Sequence, residues 1–71
     1  MTYYERYSKA TSAWELSRML KYDIDIVYMF AKPFEDVSDK IAEIRKTAMA
    51  VCNERGWTLD AAEYKPVQMR V

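Results

Sequence analysis

Val37, Ile41, Ile44, Ala48 and Val51 recur at alternating intervals of four and three, Cys52 sits beside the last of them, and the stretch ends on the chain's only glycine, Gly56. Such spacing lines one face of an α-helix and leaves the other face polar. It predicts an amphipathic helix over 37–55. Asp36 or Ser38 is the natural N-cap. Glu35, Asp36 and Asp39 lie at the positive end of the helix dipole and Arg55 at the negative end. Gly56 suits a terminating residue of positive φ. A helix with this stripe needs a second layer to bury it, and the rest of the chain must supply that layer.

Three other segments carry a pattern. Ser12 followed by Glu15 reads as a capping box. Ala13, Leu16, Ser17 and Leu20 then repeat at helical spacing, which predicts a helix over 12–21. From Asp23 to Ala31, β-branched and aromatic residues dominate, with Ile24, Ile26, Tyr28 and Phe30 alternating on one face and Pro33 closing the run. That composition predicts a strand. Val67, Met69 and Val71 alternate with Gln68 and Arg70, a second strand, and Trp57, Leu59 and Ala61 also alternate. Residues 1–11 and 57–64 have no clear period. Tyr3, Tyr7, Ala10 and Trp14 either extend the first helix backward, or Tyr3 to Tyr7 form a short strand. The expected fold is therefore a single α+β domain over 1–71, helix-strand-helix-strand, with the long helix 37–55 packed on a small sheet.

The alternative is a mostly α fold containing a helix-turn-helix over residues 13–32. Leu16, Ser17, Leu20, Val27 and Phe30 would face the inter-helix core, and Asp23 would cap the second helix. This pattern resembles the DNA-binding motif at its packing positions. It departs at Lys21, where the turn usually carries glycine, and in offering Ile24, Asp25, Tyr28 and Met29 outward. Base edges and phosphates are read by Arg, Lys, Asn or Gln.

Chemistry is mostly excluded by what is missing. The 71 residues include no histidine and one cysteine, Cys52. The commonest general acid–base residue is absent, and so are histidine-based triads and an intrachain disulfide. Cys52, on the apolar stripe, reads as a packing residue. A zinc site lacks ligands, the acidic pairs Asp23/Asp25 and Asp36/Asp39 lack calcium-loop spacing, and no glycine-rich loop can cradle a phosphate. The chain is expected to be no enzyme and to need no cofactor or metal. Apolar residues at 51% and aromatics at 14% exclude a disordered chain. The longest apolar run, Ile26 to Ala31, is far short of a membrane span. With no signal peptide visible, the expected location is cytoplasmic.

The charge pattern says more than its zero sum. Residues 23–39 carry Asp23, Asp25, Glu35, Asp36 and Asp39 against Lys32, a net of −4, while the segments on either side are each net +2. A general nucleic-acid binder needs a basic surface, so nucleic acid is an unlikely partner. An acidic patch suits a protein partner with a basic surface. Aromatics are enriched at binding hot spots, and Tyr3, Tyr4, Tyr7 and Trp14 cluster near the N-terminus. The expected role is a small protein–protein interaction module, an inhibitor or adaptor of the size common among phage and mobile-element proteins. It would bind through Tyr3, Tyr4, Tyr7, Trp14, Asp23, Asp25, Glu35, Asp36 and Asp39. The alternatives are the helix-turn-helix regulator and a structural homo-oligomer, a homodimer joined by an open sheet edge or by the seam Ile41, Ile44, Ala48 and Val51.

Overall fold

The computed structural model describes residues 1–60 and 63–67. They form three helices: α1 (Tyr3–Ser8), α2 (Ala13–Phe30) and α3 (Ser38–Arg55). Among the described residues there is no strand, only an isolated antiparallel bridge between Leu59 and Pro66. The α+β expectation is thus corrected to a small helical domain, which the mostly α alternative fits. The strand expected from Val67 to Val71 falls almost wholly outside the described residues.

The physical reason lies in α2. Ser12 caps it, its hydroxyl accepting the backbone N–H of Glu15 at 3.1 Å. The helix then runs eighteen residues without a break. Leu16, Leu20, Ile24 and Val27 extend the helical stripe of the first turns, and all four are buried. The β-branched residues of 23–31 carry an intrinsic preference worth only a few tenths of a kcal/mol each. Burying Ile24 and Val27 outweighs it at roughly 1.5–3 kcal/mol per fully buried side chain. No glycine or proline interrupts the chain before Pro33, and the residue before a proline avoids helical backbone. The helix stops at Phe30 accordingly. The same continuity removes the helix-turn-helix, because residues 13–30 form one helix with no turn near Lys21.

The helix expected over 37–55 is present as α3, over Ser38–Arg55. Val37 is its N-cap residue and provides no side-chain bond. Asp36 does part of that work, its carboxylate accepting the Ser38 backbone N–H at 2.9 Å. Gly56 adopts φ +71° and ends the helix. The seam Ile41, Ile44, Ala48 and Val51 is buried inside the chain, together with Cys52. It packs within the domain, so a dimer cannot use it without unfolding the core.

α1 and the C-terminal segment close this core. Tyr7 and Ala10 are buried in it, as is Leu59. Arg55 donates to the backbone carbonyls of Ser8 and Ala10, tying the end of α3 to the chain leaving α1. Beyond Gly56 the chain folds back on itself, Val67 N–H donating to Thr58 at 2.9 Å and Asp60 N–H to Lys65 at 2.7 Å. Ser17 donates its hydroxyl to the Tyr64 carbonyl. The Arg45 guanidinium lies 5.1 Å from the Tyr64 ring.

Candidate functional site

Each sequence-derived site residue has a definite place. Tyr7 and Asp23 are interior: Tyr7 is fully buried and Asp23 is 7% exposed. They meet each other, the Tyr7 hydroxyl donating to Asp23 Oδ2 at 2.7 Å while Arg6 Nε donates to the same oxygen at 3.0 Å. This cluster pins α1 against α2. Burial, and then the bond to the Asp23 carboxylate, raise the Tyr7 phenol far above its ordinary value. These two residues hold the fold and present no contact surface.

The rest of the N-terminal aromatic set is exposed but scattered. Tyr3 stacks on Tyr7 at 6.1 Å between ring centroids. The Tyr4 hydroxyl donates to Glu54 at 2.8 and 3.0 Å, and that carboxylate raises its pKa. Trp14, half exposed, lies at the start of α2. Tyr3 and Tyr4 lie on α1 and Trp14 in the first turn of α2.

The acidic residues lie on neighbouring stretches of the chain. Asp25 lies in the second half of α2, Glu35 and Asp36 in the α2–α3 connection, and Asp39 in the first turn of α3. All four are exposed. Glu35, Asp36 and Asp39 lie at the end of the α2–α3 hairpin, and Asp25 lies about a turn and a half earlier on α2. The Glu35 carboxylate accepts the Lys32 backbone N–H at 3.0 Å. Bonds from the Ser38 hydroxyl and backbone N–H lower the Asp36 pKa.

What the strand reading missed is that the apolar side chains near these acids are bare. Tyr28, Met29, Phe30 and Phe34 are 59%, 73%, 78% and 107% exposed. Within α2, Tyr22, Ile26, Met29 and Phe30 stand at the i, i+4, i+7 and i+8 positions of one helical face. That outer stripe is separate from the buried one through Leu16, Leu20, Ile24 and Val27. The strand expected over 23–31 would instead have put Ile26, Tyr28 and Phe30 on one face with Ile24, and Met29 on the other. The signal that finds them is the helical period itself: once Leu16, Leu20, Ile24 and Val27 fix the buried face, these side chains can only point outward.

Phe34 is the least explained residue on local grounds. Lys32, Pro33, Phe34 and Glu35 form a β-turn closed by the Glu35 N–H donating to the Lys32 carbonyl at 3.0 Å. Proline stands second, and Phe34, third, has φ +68°. A turn of this kind favours glycine or asparagine at its third position. A phenylalanine there neither packs nor eases the backbone. Among the described residues there is no pocket and no cluster of three metal-ligating side chains, and no helix is long and apolar enough to cross a membrane. Comparison with protein-family models, curated proteins and solved structures finds no match to this chain.

Proposed function

We propose that this chain is a non-catalytic protein–protein interaction module that works through the tip of its α2–α3 hairpin. The observation that carries the reading is the run of bare apolar side chains there, Tyr28, Met29, Phe30 and, past Pro33, Phe34, with the exposed acids Asp25, Glu35, Asp36 and Asp39 close to them in sequence. Single exposed apolar residues are ordinary, but several large ones gathered at one end of a helix mark a candidate protein contact. Aromatic anchors within a charged rim are the anatomy of such contacts. The acidic rim suits a partner whose own rim is basic.

The test is site-specific photocrosslinking. A photoreactive phenylalanine analogue replaces Phe30, Phe34 or Trp14 in turn, and cells producing each version are irradiated. Discrete protein adducts from positions 30 and 34, and none from position 14, are the expected result. Adducts from position 14 alone, or none from the tip, would overturn the proposal.

A further inference from the structure

The tip reading leaves its occupant unnamed, and the inference drawn here rests on that reading. We propose that the occupant is a second copy of this chain, docked antiparallel along the outer stripe of α2 about a two-fold axis near Ile26. Spacing, area and charge each support it.

Tyr22, Ile26, Met29 and Phe30 form an apolar row about two turns long with Ile26 near its middle, so it is complementary to its own reversed copy. A two-fold interface uses the same patch on both subunits. In the antiparallel arrangement Ile26 meets Ile26 of the second copy, and Tyr22 meets Phe30 of the second copy. Tyr22 is 60% exposed and Ile26 half-buried. With large side chains offering about 150–250 Å² each, the bare parts of Tyr22, Met29, Phe30 and Phe34 together present roughly 600 Å² per copy. A stable interface buries about 800 Å² per partner, and flanking polar side chains can supply the remainder.

Charge selects the direction. Arg18 and Lys21 are exposed on α2 before the stripe, and Glu35, Asp36 and Asp39 follow it. Antiparallel docking brings Arg18 beside the turn of the second copy that carries Glu35 and Asp36, and does so twice by symmetry. A parallel pair would set one acidic tip against the other. The basic rim that the tip calls for is thus present on the same molecule.

The experiment is sedimentation equilibrium of the full chain over micromolar to millimolar concentration, with circular dichroism as the check on folding. The wild-type chain is expected to dimerise. Met29→Glu, on a largely exposed residue, is expected to weaken the dimer at least tenfold with an unchanged helical spectrum. Arg18→Glu should raise the dissociation constant about 3–10-fold at low salt and less at high salt. Direction is read separately by disulfide trapping, since Cys52 is buried and does not compete. A mixture of Tyr22→Cys and Phe30→Cys chains should give mainly the mixed disulfide.

A chain that stays monomeric throughout, a dimer indifferent to Met29→Glu, or trapping of Tyr22→Cys mainly with itself would overturn the inference. A monomer whose tip crosslinks to a different protein would overturn the second copy and keep the interaction module. A monomer with no tip adduct would overturn both.

Discussion

Asp23 shows how one side chain changes meaning with its helix. Beside Asp25 in sequence, it looks like half of an acidic patch. In the structure it is buried beneath Arg6 and Tyr7, and only Asp25 reaches the surface. Removing the Tyr7 hydroxyl takes away one charge-assisted bond while Arg6 stays on Asp23. Tyr7→Phe should therefore cost about 1–2 kcal/mol, read by urea denaturation. Asp23→Leu strands the buried Tyr7 hydroxyl and should cost about 2–3 kcal/mol. The double variant should cost less than the sum of the two, because both act on the same bond. The Tyr7 phenol also sets an alkaline limit. Its folded pKa lies above the ordinary 10.0, so the folded state holds the proton more tightly. This contribution is complete below about pH 10 and is lost as pH rises further, since the unfolded phenol ionises first. Tyr7→Phe should flatten the fall in stability above pH 10, measured by denaturation midpoints from pH 8 to 11.

At the scale of the element, legibility followed the strength of the period. α3 could be read because its stripe, its charged ends and Gly56 all agree. Its terminator gives a direct check. Gly56 has open space around a Cβ but a φ of +71°, so the strain of Gly56→Ala is in the backbone alone. The expected loss is about 1 kcal/mol, seen as a lower thermal midpoint with unchanged helical content. α2 could be read only in its first half. Beyond Lys21 the residue types favour a strand while their spacing continues the helix, and the spacing prevails because α3 offers the apolar partner. Residue preference describes a chain alone, and here the neighbouring helix decides. α1 was left open between helix and strand because six residues are too few to show a period. Its position depends on Tyr7 reaching an aspartate sixteen residues away.

For the molecule as a whole, the exposure of Asp25, Glu35, Asp36 and Asp39 was legible and that of Phe30 and Phe34 was not. Asp25, Glu35, Asp36 and Asp39 are close in sequence, and any fold keeps much of that proximity. Whether Tyr28, Met29, Phe30 and Phe34 face in or out depends on the helix and on which side of it α3 covers. The two ends of the hairpin differ as a result, one closed by α1 and the segment around Leu59, the other bare. A residue kept for contact rather than for folding should be replaceable without loss of stability. Phe34→Asn, which eases a left-handed position, should leave the thermal midpoint unchanged or gain up to about 1 kcal/mol. The same variant should weaken tip-dependent association at least tenfold, as measured by sedimentation.

The chain also carries its own clock. Cys52 is the single thiol, it lies 1% exposed in the closed end of the core, and burial raises its pKa. A soluble alkylating reagent can reach it only when the core around it opens, so the labelling rate of the unmodified protein counts those openings. Tip variants such as Phe34→Asn should leave that rate almost unchanged, and Tyr7→Phe should quicken it. One reaction, followed by mass, thereby times the closed end of the hairpin apart from the bare one.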